Sequence, residues 1–181
     1  MENQSMNEME KGYNKQLEKD FIEMLKGKIK KLSKDELREC ITNFLRENCI
    51  CTLATCSNNI PRSTIVRYRS KDLTIYVLTE GGGKIKNIRE NPKVSASICG
   101  EYSGFQSVKG LQVWGKAEII DPKDTEKYAE TRKILNPEDR EDLKNAGINN
   151  IPDMYIIKID IERARYLNFP EGILNQVLTV N

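Results

Sequence analysis

Lys84 is the side chain of this sequence best placed to hold an anion. It directly follows Gly81, Gly82 and Gly83, and Arg62, Arg67 and Arg69 lie in a β-branched run upstream. Glycines let the backbone turn through conformations closed to other residues, and the run Lys84 to Arg89 carries Ile85 and Ile88 three apart before Asn91-Pro92. The spacing predicts a short helix starting near Gly83, whose unpaired first-turn amides, with Lys84 beside them, would form a phosphate seat. Taken alone, the glycine run reads more readily as a flexible turn with a solvated lysine, because such loops are common. It is not a P-loop: Ile85 follows the lysine where Ser or Thr is required, and Leu78 stands where the earlier glycine belongs. No Gly-x-Gly-x-x-Gly occurs here, so dinucleotide binding of that kind and nucleoside triphosphate hydrolysis are not expected.

Histidine is absent from all 181 residues. Ser-His-Asp hydrolysis, imidazole proton transfer and His-ligated zinc or haem therefore lose their usual residue. Chemistry on this chain would have to come from a cofactor, as hydride or electron transfer by a flavin does. Cys40, Cys49, Cys51, Cys56 and Cys99 match neither a zinc ribbon nor a Cys-x-x-Cys pair, and they read as reduced, packed thiols with no metal role.

The elements that would position Lys84 begin with two β runs, Arg62 to Arg69 and Leu73 to Leu78, joined at Ser70, Lys71 and Asp72 and predicted to pair as a hairpin. Upstream, Ser33 and Glu36 make a capping-box signature ahead of Leu37, Cys40, Ile41, Phe44 and Leu45, which recur at helical spacing. Cys49 to Cys56 reads as a strand that ends at a turn cluster, Ser57 to Asn59. Downstream, Val94 to Cys99 and Val108 to Ile120 are predicted strands, the second bent at Gly110 or Gly115. Asp121-Pro122 is predicted to open a helix to Leu135, and Pro137-Glu138 a shorter one to Gly147. Met154 to Ile161 is the last clear strand, with Arg163 to Leu167 as an extension or flank. Gln112 and Trp114 share one strand face, and Trp114, the only tryptophan, is expected in the core.

Several of these motifs together resemble the FMN-binding split-barrel family related to pyridoxamine 5'-phosphate oxidase. They are Pro61 to Val66, the strand ending at Thr79, Lys84-x-x-Asn87-Ile88-x-x-Asn91-Pro92-x-Val94-Ser95, and the apolar strand running through Gly115-Lys116-Ala117. The likeness covers about residues 33 to 167. It implies an α+β fold on a split antiparallel β-barrel with peripheral helices. It also implies FMN held by Arg62, Ser63, Thr64, Ile65, Val66, Thr79, Gly83, Lys84 and Gln112, with the flavin at the interface of a homodimer. An oxidoreductase acting on a small-molecule substrate follows, with no catalytic side chain assigned; a non-catalytic FMN-binding or storage protein and a haem-handling split barrel are the alternatives. Two departures stand out. The oxidase proper carries a basic residue directly before the lysine, where this chain has Gly83. Its C-terminal tryptophan and Arg-x-His have no counterpart after Tyr166, which leaves the substrate unidentified.

The rest of the composition frames these readings. With 29 basic and 27 acidic side chains, net charge +2, the chain offers no strong polyanion footprint, and nucleic acid is not an expected partner. No apolar run approaches about twenty residues, and the N-terminus is too acidic for a signal peptide, so a cytoplasmic protein outside the membrane is expected. Residues 33–181 read as one domain. Residues 1–32 read as an extension, disordered at first, then an extra helix with Leu17, Phe21, Met24, Leu25 and Leu32 near one face.

Overall fold

The computed structural model describes residues 19, 23, 26–148 and 150–180. The extra helix expected before Ser33 falls mostly outside them. Just before Ser33 the chain is tied to the domain: Lys30 N–H donates to the Gly172 carbonyl at 3.0 Å, Leu32 N–H donates to Gln176 Oε1 at 3.0 Å, and Leu32 is buried. Helix α1, Lys34–Glu47, starts at the predicted capping box: Ser33 N–H donates to Glu36 Oε2 at 2.8 Å, and Ser33 Oγ accepts from Glu36 N–H. It buries Leu37, Ile41, Phe44 and Leu45 against the sheet.

Among the described residues eight strands form one antiparallel sheet: β1 Ile50–Ser57, β2 Ile60–Arg67, β3 Arg69–Lys71, β4 Thr74–Thr79, β5 Lys93–Cys99, β6 Lys109–Ile120, β7 Tyr155–Asn168 and β8 Ile173–Thr179. Their order is β2-β1-β5-β6-β7-β4-β3, with β8 also on β7. The two ends of that path, β2 and β3, are consecutive in the chain and separated only by Tyr68. The sheet therefore curls until its edges meet there, giving a split barrel around a core that includes Leu53, Ile75, Val77, Val113 and Ile159. Helix α3, Thr125–Leu135, covers a second cluster of Tyr76, Ile120, Tyr128, Leu135 and Ile156. A short α4, Glu141–Asn145, follows it. Among the described residues no helix is long and apolar enough to cross a membrane.

Four expectations need correction. The predicted hairpin between 62–69 and 73–78 survives only as Arg69–Lys71 against Thr74–Tyr76. The rest of that run pairs with β1 across Asn58-Asn59, both at positive φ as a two-residue hairpin turn requires. The break is Tyr68, which is buried; its N–H donates to the Cys49 carbonyl at 2.7 Å and its hydroxyl to the Leu45 carbonyl at 3.1 Å. Asp121-Pro122 makes a turn, and the helix begins three residues later at Thr125.

The last predicted strand starts at Tyr155 rather than Met154, and Arg163 to Leu167 extends it, the first of the two expected alternatives, as far as Asn168. Burial follows Ile157, Ile159, Ile161 and then slips to Ala164, Tyr166, Asn168, because Glu162 bulges between the pairs Gly115–Ile161 and Trp114–Arg163. Strand β8 was not anticipated at all. Asn175, at φ 49°, interrupts it, so buried Ile173 and Leu178 stand five apart and the period of two is lost.

Candidate functional site

Helix α2, Gly83–Glu90, is held to the core by Ile85 and Ile88 and to β1 through its C-terminal half, for reasons visible in its sequence. Ile85 and Ile88 drop into the core, while Asn87 Nδ2 donates to Thr55 Oγ1 at 3.1 Å and Asn91 Nδ2 to the Cys56 carbonyl at 3.0 Å. Ser57 Oγ hydrogen-bonds the Glu90 carboxylate beside them. These contacts clamp the helix to β1, so the position of its N-terminus is fixed by the barrel. That N-terminus has no side-chain cap: Gly82 (φ 87°) is the N-cap, Gly81 (φ 130°) precedes it, and both are in backbone regions that L side chains rarely adopt. The first turn thus presents backbone amides with no side-chain acceptor on them.

A groove of about 650 Å³ opens at this N-terminus, within the size range of small-molecule sites. One wall is β2, with Thr64, Ile65, Val66 and Arg67; the other is the end of β4 and the glycine loop, with Leu78, Thr79, Glu80, Gly81, Gly82 and Lys84. Met154, brought there by the pairing of Tyr155 with Thr79, closes one side. Lys84 is half-buried, and its Nζ donates to the Gly81 carbonyl at 3.1 Å, folded over its own loop.

The guanidinium of Arg62 lies against Gly83: a Cβ on that glycine would come within 2.6 Å of Arg62 Cζ. A second cation therefore reaches the helix start from the strand, into space that any side chain at position 83 would take. Three cations, Arg62, Arg67 and Lys84, border the groove or its end, against one carboxylate, Glu80. The arrangement can receive a phosphate at the helix N-terminus and an apolar body along Ile65, Val66 and Leu78.

Of the nine residues expected to hold a cofactor, Thr64, Ile65, Val66, Thr79 and Lys84 line the groove, and Arg62 and Gly83 meet at its end. Ser63 and Gln112 are exposed and do not line it. Ser63 pairs opposite Ala54, and Gln112 sits between Ser97 and Arg165 on neighbouring strands. Glu80 and Met154 were missed. Met154 lies in the loop before β7, and only strand register, which no local pattern encodes, puts it beside Thr79. Trp114 is not core as expected: it is half-buried, with the Arg163 guanidinium 4.0 Å from its ring centroid and Arg165 at 5.9 Å.

Comparison with known proteins decides the family. The model of a family described as pyridoxamine 5'-phosphate oxidase matches residues 34–168, which takes in α1, the whole groove and β7. The chain belongs to the pyridoxamine 5'-phosphate oxidase family. A pyridoxine/pyridoxamine 5'-phosphate oxidase from Ehrlichia ruminantium (strain Welgevonden) is 28% identical over 98 residues, covering 52% of this chain and 48% of that protein; the chain thus spans about half the length of this relative. Among solved structures, a FAD-binding protein from Mesorhizobium loti is 24% identical, with a TM-score of 0.57 over 74% of this chain and 90% of its own. A heme binding protein from Mycobacterium smegmatis is 15% identical, with a TM-score of 0.59 over 84% of this chain and 60% of its own. These likenesses establish the split-barrel fold.

Proposed function

We propose that this member of the pyridoxamine 5'-phosphate oxidase family binds FMN in the groove at the start of α2 and acts as an oxidoreductase on a small molecule. The observation that carries this reading is the meeting of Arg62, Lys84 and an uncapped helix N-terminus at one end of a groove that also presents apolar Ile65, Val66 and Leu78. The phosphate would be held by the first-turn amides of α2, by Lys84 once it leaves the Gly81 carbonyl, and by Arg62. Thr64 and Thr79 supply hydroxyls along the groove, and the strand around Ile65 and Val66 offers an edge for the ring. When bound, FMN would supply hydride or electron transfer; the chain's own residues position it and keep water from it.

The family match, and the flavin named for the Mesorhizobium loti neighbour, support a flavin rather than another phosphate ester. A haem-handling role has less support, since the chain holds no histidine. A homodimer is part of the proposal. Ile65 lines the groove yet is 75% exposed, so a second copy covering it would bury apolar surface next to the cofactor. Ser63 and Gln112, which are exposed and off the groove, would then act toward the partner's cofactor. A cytoplasmic location fits the five free thiols.

Absorbance of the purified protein, with mass spectrometry of the ligand released on denaturation, tests the cofactor. A flavin spectrum and the FMN mass are expected; a protein that neither carries nor takes up any flavin would overturn the reading. Turnover of a nicotinamide donor with a panel of acceptors then separates an enzyme from a flavin carrier.

A further inference from the structure

Met154 reaches the groove on backbone that belongs to no regular element, residues 150–154, just before β7. Two side chains of α3, one helical turn apart, hold that stretch. Tyr128 is buried, and its Oη accepts from Met154 N–H at 3.0 Å. Arg132, with its side chain only 17% exposed, spreads its donors over both ends of the segment that joins α3 to β7. Nη1 donates to the same Tyr128 Oη at 3.1 Å and pairs with Asp153 Oδ1 at 3.3 Å, Nη2 donates to the Ile151 carbonyl at 2.8 Å, and Nε donates to Glu138 Oε1 at 3.1 Å. One guanidinium can serve all four because its donors lie in a fixed planar fork.

The Tyr128 ring is itself fixed, packed in the second core cluster with Tyr76, Ile120, Leu135 and Ile156. Its hydroxyl is thus a rigid acceptor, and Met154 N–H must come to it. On the other side of Met154, the next residue is locked by the pairing of Tyr155 with Thr79. Backbone held before and after leaves the Met154 side chain as a wall of the groove. The thioether is polarizable and suited to lie against an aromatic ring. The same segment also passes the β2 wall: the Asp142 carboxyl of α4 is held below its ordinary value by Arg140 first, with Arg67 of the groove adding.

We propose that Tyr128 and Arg132 are positioning residues for the groove, which touch no ligand themselves and set Met154 against the apolar body of the flavin. The phosphate is left to Arg62, Lys84 and the start of α2. The identity of the ligand rests on the reading above; the placement of Met154 by α3 does not.

The test has an arm without flavin and an arm with it, both on the full-length protein. Met154 is the only methionine after residue 24, so one ¹³C-methyl resonance, assigned by its loss in Met154→Ala, reports the wall. In the apoprotein, Tyr128→Phe is expected to move that resonance and to speed exchange of the Met154 amide severalfold while Ile157 and Ile159 amides in β7 exchange as before. Arg132→Lys, which keeps the charge and loses the fork, is expected to do the same. With ligand, Tyr128→Phe should weaken FMN and riboflavin alike, about two- to tenfold, leaving their ratio unchanged, and should add no further loss in the Met154→Ala background. An unmoved Met154 resonance and amide, equal acceleration of Ile157 and Ile159, a changed FMN to riboflavin ratio, or additive losses in the double variant would overturn the proposal. A wild-type protein that binds neither flavin would overturn the functional reading instead, and the apoprotein arm would then decide the role of Tyr128 and Arg132 by itself.

Discussion

Gly83 and Gly115 are both glycines whose missing side chain is required, and they are required for opposite reasons. At Gly115 a Cβ would run into the backbone carbonyl of Asp160 across the β6–β7 bulge, and backbone in the middle of a sheet cannot step aside. At Gly83 the obstacle is the end of a flexible side chain, the Arg62 guanidinium, which can. The first glycine belongs to the architecture that bends the barrel. The second makes room for a charge. A glycine's neighbours, and not the glycine, say whether it serves the fold or the site.

The largest expected effect sharpens the architectural half of this contrast. Gly115→Ala should lower stability by roughly 2–4 kcal/mol, read from the denaturant midpoint; a wild-type midpoint would show that the bulge has slack. Lys84→Ala belongs to the other half. It should weaken FMN binding by about 1.5–3 kcal/mol, the worth of a hydrogen bond to a charged group, at an unchanged midpoint. A fall in the midpoint instead would make Lys84 a structural residue.

Alkaline pH tests the interior behind the groove. Burial pushes the Cys51 thiol up to about 12 from an ordinary 9.0. Below about pH 9 this thiol is protonated whether the chain is folded or not, and its contribution is fully present. Above pH 9 the unfolded chain ionises it while the folded chain does not, so stability falls as pH rises toward 12. The expected slope is about 1.4 kcal/mol per pH unit, with burial of Tyr68 acting in the same direction. Denaturant midpoints from pH 8 to 11 would show it, and Cys51→Ala should flatten the curve. The smallest effect is Gly83→Ala, which should displace Arg62 and cost FMN binding under about 1 kcal/mol with no change in midpoint; a midpoint loss matching that of Gly115→Ala would erase the contrast.

What the sequence made legible was the local chemistry. The capping box at Ser33 and Glu36, the helix between Gly83 and Pro92, and the bend at Gly115 all follow from residues within a few positions of one another. The Lys-x-x-Asn-x-x-x-Asn-Pro spacing was read as a family mark; the structure gives it a physical meaning, with Asn87 and Asn91 bonding β1. What stayed hidden depended on register. Tyr68 reads as one more residue in a β run, and only its burial under α1 shows why the strand breaks there. Asn175 and Glu162 each shift the alternation by one residue, enough to hide β8 and to leave Arg163 to Leu167 readable as either an extension of β7 or a flank. The departure at Gly83 looked like a lost cation. In the fold, Arg62 fills that place from another strand.

The claim on which the rest depends is that the start of α2 recognises a phosphate, and comparing FMN with riboflavin, which lacks one, tests it most directly. Titrating both flavins into the apoprotein and into Lys84→Ala isolates the phosphate's contribution as a thermodynamic cycle. Much tighter binding of FMN than of riboflavin is expected, with the gap narrowing about ten- to a hundredfold in Lys84→Ala. Equal affinities for the two flavins, or a gap unchanged by the substitution, would contradict it.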